Sequence, residues 1–240
     1  MSKSTVLLPE WELVLSSAAR LQRILPDAVL VGGTASAIHA KHRFSYDADH
    51  ILADLRHRFD KVLAQLESVA GWKTARVQRP VQILGSLDGI ETGVRQLIRI
   101  EPLETVAVDY RGAQITVPTE AEILRIKGVL ILKRNATRDY LDFIALADHM
   151  GDRDVAVALQ PFDRLYQQSN GESPLQQLQA QLANVLPYDL KETELNEYKN
   201  LAPRWHDWQA VKAACSHIAT TIFDRVCDIG TEHSDVHGMD

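Results

Sequence analysis

An apolar tetrapeptide, Ala28-Val29-Leu30-Val31, runs straight into Gly32-Gly33, and a pair of acids, Asp47 and Asp49, leads into a second apolar run, Ile51-Leu52. The first run predicts a short buried strand. Two glycines directly after it let the backbone turn tightly and approach a ligand with no Cβ in the way. A helix-like stretch then runs from Thr34 to about Ala40, and the N–H groups that open such a helix suit an anion, phosphate above all. A second strand is expected from Asp47 to Ala53. Strand side chains alternate, so both carboxylates fall on one face. Two like charges held that close, at the mouth of a buried strand, call for a cation between them. Hard oxygen ligands with phosphate nearby suit Mg²⁺.

Around this core the chain reads as an α/β front of residues 1–118, a helical back of 119–230 and a frayed tail of 231–240. Apolar spacings of three and four predict a helix over 9–25. Another is expected from residue 55 to about 69, with Asp54 as its cap. From Trp72 to Val117, β-prone runs at Val81–Leu84, Gln96–Ile100, Thr105–Val108 and Gln114–Val117 alternate with turn residues. After Pro118, Thr119-Glu120-Ala121-Glu122 has the form of a capping box. Helices are then expected over about 119–134, 137–149, 152–167, 175–186, 190–201 and 205–228. The first of them are expected to dock on the sheet and close a ligand cleft.

The 240 residues are 45% hydrophobic and 24% charged, which excludes a disordered, collagen-like or disulfide-stapled chain. No window reaches the ~18 apolar residues of a membrane span. The N-terminus meets charged residues too early for a signal-peptide core. Cys215 and Cys227 read as thiols of a reducing compartment, and the expected location is cytoplasmic. A net charge of −6 excludes a broad nucleic-acid-coating surface but leaves room for a local basic cleft.

A second constellation comprises Lys127, Arg134, Arg138, Asp139 and Asp142. Lys127 shares a helical face with Ile123, Leu130 and Ile131, so its stem is expected on the buried side. Asp139 and Asp142 are three apart and therefore neighbours on the next helix. A turn at Asn135-Ala136 makes the two helices an antiparallel hairpin and brings Lys127 towards Asp142. The alternative is an ordinary ion pair from Arg138 to Asp142.

Together the two blocks resemble the AbiEii-type nucleotidyltransferase toxins, a branch of the polymerase-β-like nucleotidyltransferase superfamily. The matching residues are Gly32-Gly33, Arg43, Ser45-Tyr46-Asp47-Ala48-Asp49, Lys127 with Arg134, and Arg138-Asp139-Tyr140-Leu141-Asp142, so the likeness covers about residues 28–148. The resemblance implies a polymerase-β-like sheet with flanking helices and Mg²⁺-dependent transfer of a nucleotide from an NTP. It implies an RNA acceptor, often a tRNA 3′ end, and a cognate antitoxin as partner. By the same likeness Asp47 and Asp49 bind Mg²⁺, and Gly32, Gly33 and Thr34 cradle phosphate. Lys127 neutralises phosphate charge, and Asp142 orients the acceptor or holds Lys127. Ser45 lies beside the first carboxylate, and Arg43 holds phosphate or pins the loop. The wider superfamily often adds a third carboxylate on a neighbouring strand. Glu91 and Asp109 are the candidates here, while Gln96 lies in a run where such an acid is expected.

Residues 150–240 carry no further matching motif. The stripe Trp205, Trp208, Val211, Cys215, Ile218, Ala219, Ile222 and Val226 reads as core, the spacing of His39, His42, His50 and His57 matches no zinc motif, and His233 and His237 fall in the tail with no expected role. Arg56-His57-Arg58 and Arg76 to Arg79 are the basic patches available to RNA. Transfer to a protein or small molecule, γ-phosphoryl transfer, and a catalytically silent nucleotide-binding or interaction module are the competing readings.

Overall fold

The computed structural model describes residues 9–234, with side chains over 10–224. The expectations for Val226, Cys227, His233, His237 and residues 235–240 lie outside the described side chains. Two compact units divide between Thr119 and Glu120.

The first unit opens with α1 (Pro9–Ile24), β1 (Val29–Leu30), α2 (Gly32–Ala40), β2 (Ala48–Leu52) and α3 (Leu55–Glu67). It continues with β3 (Trp72–Gln78), β4 (Gln82–Leu87), β5 (Ile90–Gln96), β6 (Thr105–Tyr110) and β7 (Ala113–Pro118). Among the described residues, five strands form one sheet in the order β1-β2-β5-β4-β3, and β6 pairs with β7. β2 and β5 are parallel, whereas the other neighbours are antiparallel. Along β2, Ala48, His50 and Leu52 are buried while Asp49 and Ile51 are partly exposed, the alternation a half-covered strand requires.

Burial of apolar faces holds the unit together. Leu21 of α1, Leu25 just beyond its end, and Leu55, Phe59, Val62 and Leu66 of α3 pack with Leu52, Ile83, Leu87 and Val94 of the sheet. A second cluster joins Trp11, Val14, Leu15 and Ala18 of α1 to Leu30, Ala48, Ile115 and Val117. Each such side chain contributes about 1.5–3 kcal/mol relative to exposure. α1 is also fastened to β7 by Gln22, whose amide donates to Thr116 O and accepts from Thr116 N, both at 2.8 Å. His50 is fully buried, and burial pushes its imidazole down to about 4, so it is neutral at ordinary pH.

Several elements differ from expectation. No strand covers Gln96–Ile100; Gln96 ends β5, and Ile98 and Ile100 are exposed beyond it. The strands β3 and β5 escaped the sequence reading. After Trp72, β3 is exposed at every position because it is the sheet's edge, so no apolar alternation marks it. Asp54 sits at the N-cap position of α3 without a side-chain cap bond, and instead pairs with Arg58 at 2.7 Å.

The second unit consists of α4 (Glu120–Arg134), α5 (Thr137–Met150), α6 (Asp152–Leu159), α7 (Phe162–Leu165), α8 (Pro174–Ala183) and α9 (Trp208–Ser234). α4 and α5 form the expected hairpin, with Asn135 in the left-handed conformation at the turn, φ 47°. The helix expected over 152–167 is broken at Gln160-Pro161, since proline lacks the N–H a helix interior needs. Over 190–201 only short 3₁₀ turns form, at Leu190–Glu192 and Leu195–Glu197, neither with a buried residue to anchor a longer helix. Trp205, Val211, Cys215, Ile218, Ala219 and Ile222 are core.

Candidate functional site

In the first unit the chain leaves β1 and passes through Val31 straight into α2, whose first turn is Gly32-Gly33, beside the start of β2. Val31 N–H donates to Asp49 O at 2.8 Å, which extends the β1–β2 ladder to the turn. Gly32 has φ 73°, a conformation that favours glycine, and a Cβ there would stand 3.8 Å from Asp49 Cβ. A Cβ on Gly33 would fall 2.6 Å from Arg43 Nη2 and 2.8 Å from Ser45 Oγ. The bare backbone of the turn is therefore packed directly against the residues that precede β2.

Hydroxyls fix the first acid. Thr34 Oγ1 donates to Asp47 O at 2.5 Å, and Ser45 Oγ donates to Asp47 Oδ1 at 2.5 Å. Thr34 is fully buried, so its hydroxyl serves the backbone of the Asp47 loop. Arg43 is buried too; its Nη1 donates to Phe44 O at 3.2 Å, and its guanidinium backs Gly33. Of the two roles implied for Arg43, this is the geometry of a pin for the loop.

Asp47 and Asp49 are partly exposed, and both border the glycine turn. Asp49 Oδ2 lies 3.8 Å from Arg95 Nη2 on β5. Among the described residues, no group of three or more His, Cys, Asp or Glu side chains converges to hold a metal. Two carboxylates fit Mg²⁺ when phosphate oxygens and water complete its shell, the usual arrangement for that ion. Asp109 lies on β6, outside the five-stranded sheet. Glu91 lies on β5 and is exposed, two residues before Gly93, which is in register with Asp49. The amide of Gln96 is structural: Oε1 accepts from Arg56 N at 2.8 Å and Nε2 donates to Ala53 O at 2.6 Å.

In the helical unit, Lys127 Nζ lies 2.6 Å from Asp142 Oδ2 and 3.4 Å from Asp139 Oδ1. Arg134 Nη2 reaches Asp139 Oδ1 at 3.0 Å. The Lys127 side chain is 3% exposed and both acids are 0% exposed, so these charges neutralise each other inside the protein. Arg138 is exposed. Residues that sequence reasoning missed are Arg95, which faces Asp49, and the buried pair Arg125–Glu122 at 2.9 Å. Only the strand register could have revealed Arg95, because nothing local in the sequence ties it to Asp49.

No known family profile matches the chain. The heme uptake protein MmpL11 of Mycobacterium tuberculosis is 28% identical over 235 residues, which is 88% of this chain and 23% of that protein. The mycolic acid-containing lipids exporter MmpL11 of Mycolicibacterium smegmatis is 31% identical over 126 residues, or 51% of this chain and 13% of that protein. The chain thus spans less than a quarter of the length of these relatives. Among solved structures, a candidate nucleotidyltransferase from H. pylori superposes with a TM-score of 0.55 at 14% identity, covering 95% of this chain and 99% of that one. A mixed sheet with flanking helices, followed by a helical C-terminal region, is therefore shared along nearly the whole of both chains, and the fold is a nucleotidyltransferase fold.

Proposed function

We propose that the chain is a Mg²⁺-dependent nucleotidyltransferase that acts in the cytoplasm, where NTPs are supplied. The observation that carries this reading is the meeting of Gly32-Gly33 with Asp47 and Asp49 at one end of β2, on a nucleotidyltransferase fold. Asp47 and Asp49 would hold Mg²⁺, which when bound supplies positive charge to the triphosphate. The backbone of Gly32, Gly33 and Thr34 offers the helix N-terminus to phosphate oxygens. Ser45 holds the Asp47 carboxylate in place, and Arg43 pins the loop behind the glycines. In the reaction an acceptor hydroxyl oxygen bonds to the α-phosphorus and the bond from that phosphorus to the bridging oxygen breaks. Pyrophosphate leaves with the electron pair, and the hydroxyl proton passes to solvent. In the helical unit, the 2.6 Å contact supports Asp142 as the group that holds Lys127.

For the acceptor we favour RNA of the tRNA type, and for the biological role a toxin restrained by a cognate antitoxin. The ordered motif blocks of residues 28–148 support this finer assignment. Incubation of wild type and Asp47→Ala with Mg²⁺, total RNA and each α-³²P-NTP tests it. Label on RNA with wild type alone is the expected result. Label on a protein or small molecule would keep the chemistry and replace the acceptor.

A second reading rests on one observation: 88% of the chain matches a stretch of a relative whose name is that of a probable transport protein. On this reading the site binds nucleotide without transferring it, as a silent module that works with a transport protein. Absence of label under every NTP, together with NTP binding that Asp47→Ala abolishes, would select it.

A further inference from the structure

We propose that Arg95 is a built-in counter-ion of this site, holding Asp49 until a phosphate-bearing ligand takes the guanidinium and a divalent cation takes the carboxylate. The proposal rests on the reading of Asp47 and Asp49 as metal ligands, and it couples metal binding to ligand binding.

The argument begins with strand register. On the parallel pair β2 and β5, Asp49 is in register with Gly93 and Ile51 with Arg95. Residues two apart on a strand share a face, so Asp49, Gly93 and Arg95 lie on one side of the sheet. Gly93 puts no side chain between Asp49 and Arg95. The guanidinium reaches back to place Nη2 3.8 Å from Asp49 Oδ2. At that separation the two groups attract as charges without a hydrogen bond to lock them together. The Arg95 side chain is 45% exposed and that of Asp49 27%, so both remain open to a ligand.

The charges at the site set the consequence. Arg95 offsets one unit of the −2 that the acid pair carries. A free divalent cation must compete with Arg95 for Asp49. A ligand that brings phosphate changes this balance, because the planar guanidinium matches phosphate oxygens and can leave the carboxylate for them. Phosphate oxygens also complete the coordination that two carboxylates leave short. Arg95 therefore acts as a positioning residue that discriminates against metal without nucleotide.

Mn²⁺ binding, followed by the electron paramagnetic resonance signal of the free ion, tests the proposal without any need for turnover. Wild type, Arg95→Gln, Arg95→Lys and Asp47→Asn are compared, with circular dichroism to establish that each is folded. Without nucleotide, Arg95→Gln is expected to bind Mn²⁺ about tenfold more tightly than wild type, by loss of the competing charge. Arg95→Lys should bind as wild type does, since charge and not shape sets the competition. A non-hydrolysable NTP analogue should tighten Mn²⁺ binding in wild type and shrink the advantage of Arg95→Gln. Equal Mn²⁺ affinity of wild type and Arg95→Gln, or no binding by either, would overturn the proposal. If Asp47→Asn weakens Mn²⁺ binding while Arg95→Gln leaves it unchanged, the metal site stands and only the role of Arg95 falls. If Mn²⁺ binding persists unaltered in Asp47→Asn, the metal reading itself fails, and the proposal with it.

Discussion

The Lys127 ammonium lies 2.6 Å from the Asp142 carboxylate, with Asp139 as its second partner at 3.4 Å, and water reaches almost none of the three side chains. A buried charge set of this kind is costly to form and more costly to break, because the remaining charge has no solvent to turn to. Lys127→Met should destabilise the helical unit by about 3–5 kcal/mol. Pairing it with Asp142→Leu should recover part of that loss, because the orphaned acid is then gone. Urea unfolding of the two single variants and the double variant gives the coupling energy directly. Additive losses would show that the pair is not a unit.

The two glycines of the turn make different predictions. Gly32→Ala forces a side chain onto a left-handed backbone, which costs about 1–2 kcal/mol, yet its Cβ meets nothing closer than 3.8 Å. Gly33→Ala meets the buried Arg43 guanidinium and Ser45 Oγ, the group that holds Asp47. Gly33→Ala should therefore weaken NTP binding through displacement of Asp47, beyond its overpacking cost of about 1–3 kcal/mol. Isothermal titration with a non-hydrolysable NTP analogue, beside thermal unfolding, separates the two effects.

Gln22 acts as a short piece of strand for Thr116. Truncation to alanine leaves both the N–H and the C=O of Thr116 on β7 without their Gln22 partner. Gln22→Ala should cost about 1–3 kcal/mol. Gln22→Glu can still accept from Thr116 N but repels Thr116 O, so it should not rescue. Hydrogen exchange at the Thr116 amide, read by NMR, should rise in Gln22→Ala, whereas in Gln22→Glu the loss should show in stability alone.

Burial pushes the Cys215 thiol up to about 12. The unfolded chain releases this proton near the ordinary thiol value of 9.0, whereas the folded chain holds it until about 12. Between those values the unfolded state binds fewer protons, so stability falls as pH rises. Cys215→Ala should lessen the fall, as read from urea midpoints across that range. In a Cys227→Ala background at pH 8, Cys215 should react with a thiol reagent only after urea unfolding.

The glycine turn, the acids, and the hairpin that carries Lys127 and Asp142 are legible in the sequence because each is local. An apolar run ends in Gly32-Gly33, two acids alternate into β2, and helical spacing joins Lys127 to an apolar face. The helices α1 and α3 are legible for the same reason, as their apolar stripes face one core. Long-range pairing decided the rest. β3 carries no alternation because edge position, not composition, makes it a strand. The Gln96 side chain was absorbed into backbone contacts that sequence spacing does not encode.

The sequence by itself determined which chemical groups are present and which short segments carry them. Secondary-structure periodicity fixes which side chains share a face within one element. Only tertiary structure decided what those groups meet: that β5 lies parallel to β2, that this register sets Arg95 against Asp49, and that Lys127 spends its charge on two buried acids. The physical reason is that strand pairing and charge burial are settled by residues far apart in the chain. Their energies depend on the register and solvent exclusion that the packed fold imposes.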